Sequence, residues 1–142
     1  MKALFILGLS LCSFHAFSQN KEEAAIIKLL VKESTTWRAG DGKGHVSCWA
    51  IKPYSRVFIS TPSGEFIVIP AAKLSDTTNV GSGTFENSNY NFSIHGDNAW
   101  VSHDEVSIDL KGNKTYSHEI KMVEKIKGEW KIVAVSMHLF KK

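Results

Sequence analysis

Cysteine is almost missing from this sequence. Of 142 residues only two are cysteine, Cys12 and Cys48, and the first lies in a segment read below as an export leader. Removal of that leader leaves Cys48 alone, so no intramolecular disulfide can form and the domain must be held by its core. A lone thiol beside Trp49 reads as buried packing. Only His45, three residues earlier, stands near enough in sequence to activate it, and no Asn or Asp orienter can be assigned. The histidines His45, His95, His103, His118 and His138 form no local His-x-x-x-His pair and there is no Cys-x-x-Cys, so neither a metal nor another cofactor is expected. A stripe of Lys and Arg interleaved with aromatics is lacking too. The formal net charge of +3 comes from scattered residues, which excludes a nucleic-acid-binding surface of the usual kind. No apolar run is long enough to span a bilayer. The three prolines, Pro53, Pro62 and Pro70, fall only where elements begin or end.

What is present describes one ordinary globular domain, 43% hydrophobic and 22% charged, with enough chain for a real core but not for two. Residues 1–18 read as a signal peptide. Lys2 supplies the positive start, "ALFILGLSLCSF" the apolar stretch, and Ala16-Phe17-Ser18 a small-x-small cleavage site. The expected mature domain is residues 19–142, exported to the periplasm or secreted. Cys12 raises the alternative of a lipoprotein, but Leu11 stands where a lipobox wants Gly, Ala or Ser.

Lys21 to Ala39 carries the strongest helical signal. Ala25, Ile26, Leu29, Leu30, Glu33, Ser34 and Trp37 recur at helical spacing, Glu22 and Glu23 favour the first turn, Asn20 suits the N-cap and Gly40 closes the run. A short helix follows from about Gly44 to Ala50. Then come a strand in "SRVFIST", a turn at Pro62-Ser63-Gly64, a strand in "EFIVI" and a short helix in "AAKLSD". Thr77 to Asn89 is polar, Gly-rich and aperiodic, and reads as a loop. The last third holds three long strands, "NAWVSHDEVSIDL", "TYSHEIKMVEKI" and "EWKIVAVSMHLF", with period-2 alternation. Gly112-Asn113 suits a two-residue hairpin turn, and either Lys127-Gly128 or Gly128-Glu129 can close the second.

With two-residue turns, one sheet face collects Trp100, Ser102, Asp104, Val106, Ser117, Glu119, Lys121, Trp130, Ile132, Ser136 and His138. On that register Asp104 opposes Lys121, and Glu119 opposes Ser136 or His138. Glu119 and His138, flanked by tryptophans, are therefore the candidate acid–base pair, set against a purely structural ion-pair network. The other face collects His103, Glu105, Tyr116, His118, Val133, Val135, Met137 and Leu139. The last four form an outward apolar row that calls for a homodimer partner. Tyr116 with His118 is the fallback for the pocket should the turns differ.

The order helix, short helix, hairpin, short helix, meander is α+β, with helices segregated on one face of a bent antiparallel sheet. Trp37-Arg38-Ala39-Gly40-Asp41, Cys48-Trp49-Ala50, "DNAWVS" and "EKIKGEWKIVAVS" occur in an order that resembles the nuclear transport factor 2-like superfamily, in the branch of small exported SnoaL-like domains. The resemblance covers nearly all of the mature chain. It implies a cone-shaped fold, N-terminal helices packed on a strongly curved antiparallel sheet, a pocket at the wide end and frequent dimers. The general-base Asp of steroid-isomerase-like members has no counterpart in Phe58-Ile59-Ser60-Thr61-Pro62, and Glu33 stands where those members carry a helix Tyr.

Two functions are therefore expected in order. The first is a non-catalytic exported domain binding a small apolar or amphipathic ligand, with Trp37, Trp49, Trp100, Asp104, Trp130 and Ser136 lining the pocket. The second is a lyase or isomerase using Glu119 and His138.

Overall fold

The structure is a computed structural model that describes the backbone of residues 4–75 and 81–142 and the side chains of residues 19–74 and 81–142. The side chains of the expected leader lie outside the described residues. Helix α1 runs Leu4–Arg38. From Ile26 onward it turns Ile26, Leu29, Leu30, Glu33 and Ser34 inward at spacings of three and four. It stops where Gly40 takes the left-handed conformation, φ 71°, and the Asp41 amide donates back to the Thr36 carbonyl at 2.9 Å. Asp41 then caps α2, Gly42–Ser47, by accepting the Gly44 amide at 2.8 Å. That cap starts the second helix two residues before the position expected from its apolar pattern.

Six strands form one sheet in the order β2-β1-β6-β5-β4-β3: β1 Arg56–Ser60, β2 Phe66–Pro70, β3 Thr84–His95, β4 Asn98–Ile108, β5 Lys114–Ile126 and β6 Glu129–Phe140. A 3₁₀ turn, Ala71–Ser75, follows β2. The sheet is mixed rather than purely antiparallel. β1 lies parallel to β6, with Arg56 opposite Ala134 and Ser60 opposite His138, because the chain reaches β1 from the helices and not from a neighbouring hairpin. β3 takes over residues 84–89 of the expected loop, whose first four residues, 77–80, lie outside the described residues. Its aperiodicity arises from a bulge between Ser88 and Asn91, where Asn89 has φ 56°, which breaks one alternation into two shorter ones.

Two local devices overturn the expected faces of the meander. The first hairpin does not turn on Gly112-Asn113 alone. Asp109 accepts the amides of Lys111 and Asn113, both at 2.8 Å, and the Asn113 side-chain amide at 2.8 Å. The hairpin therefore closes at Ile108–Lys114 around a five-residue loop, Asp109–Asn113. An odd change in loop length swaps the faces of β4 relative to β5. The second hairpin uses Lys127-Gly128, with φ of 52° and 85°, as one of the two readings had it. A bulge then intervenes. Met122 pairs with Ala134 but Val123 with Ile132, so Val133 is the extra residue and everything beyond it changes face.

Val101, His103 and Glu105 consequently join Ser117, Glu119, Lys121, Val123, Val135 and Met137 on the concave side, toward the helices. Trp100, Asp104, Ser136 and His138 go to the convex side. Val135 is buried in the core and Met137 packs on it, Val133 is buried at the bulge and Leu139 is half-buried, so the four do not form the outward apolar row expected as a dimer surface.

Candidate functional site

The space between α1, α2 and the sheet is layered. At the closed end Ile26, Leu29 and Leu30 meet Val101, Val123, Trp130 and Ile132 in a continuous apolar core. One helical turn further along α1, and one inward position further along β4 and β5, the same geometry brings charges together. These are Glu33 and Ser34 from the helix, His103 and Glu105 from β4, and Glu119 and Lys121 from β5. All six are buried.

Lys121 is the hub. Its Nζ lies 2.9 Å from Glu33 Oε2 and 3.2 Å from Glu119 Oε2. Burial opposes its charge, but the carboxylates of Glu33 and Glu119 outweigh burial and hold the ammonium pKa well above the ordinary lysine range. Ser117 Oγ donates to the second oxygen of Glu119 at 3.2 Å. His103 Nε2 stands 3.7 Å from Glu119 Oε2 and has no hydrogen-bond partner among the described residues. Burial, reinforced by Lys121, pushes the His103 pKa down, so the ring is held neutral. Arg38 forms the second anchor. It donates from Nη2 to Glu105 Oε1 and to Ser107 Oγ, each at 2.6 Å, while Ser34 Oγ donates to Glu105 Oε2 at 3.2 Å.

Above this floor opens a half-enclosed cavity of about 640 Å³, inside the size range of small-molecule sites. Trp37, Val57, Ile59, Leu74, Val135 and Met137 supply apolar wall, and Glu33, His45, Trp49 and Lys73 also line it. His45 comes from α2, where the Asp41 cap directs the short helix across α1. Its Nδ1 lies 3.3 Å from the Glu33 carbonyl and 3.6 Å from Glu33 Oε1. A carbonyl only accepts, so Nδ1 carries a hydrogen in that contact.

Of the residues expected at the site, the fold places Trp37, Trp49 and Glu119 around this cavity. It separates Glu119 from His138. Glu119 pairs with Met137, and His138 sits on the convex side with Nδ1 2.9 Å from Ser60 Oγ and Nε2 3.0 Å from Ser136 Oγ. Trp100 and Asp104 are convex as well. Asp104 meets His118 Nδ1 at 2.7 Å, not Lys121, and this contact and the Asn89 amide hold its carboxyl below the usual range. Tyr116 and His118 share that convex side, so the fallback pair is also outside the pocket. Trp130 is buried at the closed end, where its Nε1 donates to Glu22 Oε2 at 2.7 Å.

His103, Glu105 and the Glu33–His45 pair are the residues that sequence reasoning did not bring to the site. Glu33 carried a signal, being a carboxylate on the inward stripe of an otherwise apolar helix. Among the described residues no group of three or more His, Cys, Asp or Glu side chains is placed to hold a metal ion. No described helix is long and apolar enough to cross a membrane.

No family model and no curated protein matches the sequence. Solved structures do match in shape. An NTF2-like protein of unknown function from Shewanella baltica superposes with a TM-score of 0.65 at 18% identity, over 86% of this chain and 96% of that one. An NTF2-like protein of unknown function from Pseudomonas putida gives 0.66 at 13% identity, over 84% and 87%. An NTF2-like protein from Cytophaga hutchinsonii gives 0.62 at 15% identity, over 83% and 98%. The helices laid across a curved six-stranded sheet, and these near full-length superpositions, assign the chain the nuclear transport factor 2-like fold.

Proposed function

We propose that the protein is a small-molecule-binding domain with no catalysis of its own, holding an apolar or amphipathic ligand in the cavity between helices and sheet. The observation that carries this reading is the contrast between the cavity's apolar walls and its floor. The carboxylates of Glu33, Glu105 and Glu119 are already engaged by Lys121, Arg38, Ser34 and Ser117. Groups so committed orient and rigidify a pocket better than they transfer protons. The test is to fill the cavity. Val135→Trp should abolish binding of a hydrophobic fluorescent probe, read by tryptophan quenching, while circular dichroism stays native. Undiminished binding would place the ligand elsewhere.

A second reading, an acid–base lyase or isomerase, is favoured by one feature. The Glu33–His45 pair presents an uncommitted ring nitrogen to the cavity, as a general base requires. In this reading Glu33 and His45 take the place of Glu119 and His138.

We further propose export with cleavage before Gln19, leaving Gln19–Arg38 as the first helix. Intact mass of the exported protein should begin at Gln19, and a lipid on Cys12 would refute it. Homodimerisation is proposed through the convex face, where Phe66, Val68, Trp100, Met122 and Phe140 are exposed.

A further inference from the structure

The charged groups at the base of the cavity leave one carboxylate oxygen over. Glu33 spends Oε2 on Lys121 at 2.9 Å, but its Oε1 has no hydrogen-bond donor among the described residues. His45 Nδ1 stands 3.6 Å away, beyond hydrogen-bond distance. Whatever charge that ring carries, its Nδ1 hydrogen is spent on the Glu33 carbonyl at 3.3 Å. Oε1 is unpartnered without being sealed off, since the Glu33 side chain keeps 12% of its surface and lines the cavity. One helical turn on, on the same face of α1, Trp37 lines the cavity as well. An indole there attracts a cation as an aliphatic wall does not.

We propose that the cavity takes an amphipathic amine, its protonated nitrogen donating to Glu33 Oε1 and its apolar body lying against Val57, Ile59, Val135 and Met137. This inference rests on the binding-domain reading and names the ligand class of that pocket. The charge balance points the same way. Three buried carboxylates, Glu33, Glu105 and Glu119, face two cations, Lys121 and Arg38, and burial holds His103 neutral. Even a charged His45 ring would only bring this set level, so the floor never favours an anion. An anion would have to compete with Glu33 and Glu119 for Lys121, and with Glu105 for Arg38. The Arg38 Nε–H is unpartnered among the described residues but buried out of reach. Lys73 stands exposed at the rim, where solvent screens it. A hydroxyl can donate to Oε1 too, but a charged donor makes the stronger bond to a carboxylate.

The experiment keeps the body constant and changes the head. 1-Adamantylammonium, trimethyl(1-adamantyl)ammonium, adamantan-1-ol and adamantane-1-carboxylate are titrated into the full mature protein by calorimetry at neutral pH. The primary ammonium should bind about tenfold more tightly than the alcohol. It should also bind more tightly than the trimethyl analogue, which keeps the charge and lacks the N–H, and the carboxylate should bind most weakly. In Glu33→Gln, which keeps the shape and removes the charge, the ammonium should fall to the level of the alcohol. The ranking on the wild-type protein decides the matter even if that variant folds poorly. Alcohol or carboxylate binding at least as tightly as the ammonium, a trimethyl analogue equal to it, or an ammonium lead that survives in Glu33→Gln would overturn the amine assignment and leave the binding-domain reading standing. So would failure of all four to bind while Val135→Trp still abolishes binding of the fluorescent probe. If all four fail and Val135→Trp has no effect on that probe, both are overturned.

Discussion

The two faces of this sheet invert the usual arrangement of charged and apolar residues. The concave face, closed over by helices, holds Glu105, Glu119, Lys121 and His103, while the convex face leaves Phe66, Met122 and Trp100 at 65%, 55% and 40% exposure. The electrostatics follow the placement. On the concave side a pair such as Lys121–Glu33 is removed from water, so its charges are strongly coupled and each partner is needed by the other. On the convex side Asp104–His118 is of similar length, 2.7 Å, but half in water, and such pairs contribute little to stability. The lesson is that pair distance does not rank these contacts. Burial does.

The strongest way to break this comparison is to remove the hub. Lys121→Met should destabilise the protein by about 3–5 kcal/mol, because it leaves Glu33 and Glu119 buried without their cation. The loss should appear in urea unfolding at neutral pH. There the Lys121 contribution is complete, since its raised pKa means that it is lost only as pH climbs above the unfolded lysine value of 10.5. Adding Glu33→Gln and Glu119→Gln to Lys121→Met should recover most of that loss. If the triple variant is no more stable than the single one, the carboxylates are not what Lys121 serves.

Much of the fold was legible in the residues, and the faces were not. Hydrophobic spacing located α1 from Ile26 to Trp37, and period-2 alternation located β4, β5 and β6. The pocket went wrong by two single-residue effects. Asp109 captures two backbone amides and lengthens the first hairpin loop, which inverts β4 against β5, and Val133 bulges out of β6, which inverts that strand beyond it. Neither residue is unusual for its position, so nothing in composition announces it. Glu119, Trp37 and Trp49 survived as cavity residues because they lie where parity was not disturbed. His138, Ser136, Asp104 and Trp100 did not, because each lies across one of the two slips. β3 was hidden by its own bulge at Asn89.

A second break concerns the other anchor on the concave side. Arg38→Leu would leave Glu105 with Ser34 as its remaining side-chain partner. A loss of about 2–3 kcal/mol is expected in thermal or urea unfolding. Trp37 should also loosen, since the guanidinium lies 5.4 Å over its ring. A change below about 0.5 kcal/mol would show the mouth of the cavity to be wet enough to solvate Glu105.

The acid limb of stability sharpens the comparison further. His103 is surrounded by Glu119 and Lys121 from β5, Glu105 on its own strand and Tyr90 from β3, whose ring lies 5.3 Å away. Its folded pKa lies below the free value of 6.5. Below that pH the unfolded chain takes up a proton that the folded chain refuses, so stability falls as pH falls. The slope from this group approaches about 1.4 kcal/mol per pH unit. His103→Leu should remove that component of the slope between pH 6.5 and the folded pKa, whatever it does to stability at neutral pH. An unchanged slope would mean that His103 charges inside the fold, with Glu119 at 3.7 Å as its counter-ion.

The smallest effect on stability belongs to the convex face, and it is the most informative about assembly. Met122→Lys replaces a side chain that is 55% exposed and opposed by Trp100 on β4 and Ala134 on β6. Within one protomer little is lost, and unfolding should shift by no more than about 0.5 kcal/mol. Between two protomers packed sheet to sheet the same ammonium would be buried against its own symmetry mate and against apolar side chains, a repulsive arrangement in any isologous contact. Light scattering of the wild-type protein at micromolar concentration should therefore give a dimer and Met122→Lys a monomer, with ligand binding in the concave cavity unchanged. A wild-type monomer would leave the exposed aromatics of the convex face without an intramolecular or homomeric cover. A dimer indifferent to Met122→Lys would move the interface to another surface, and the division of labour between the two faces would then hold only for the concave one.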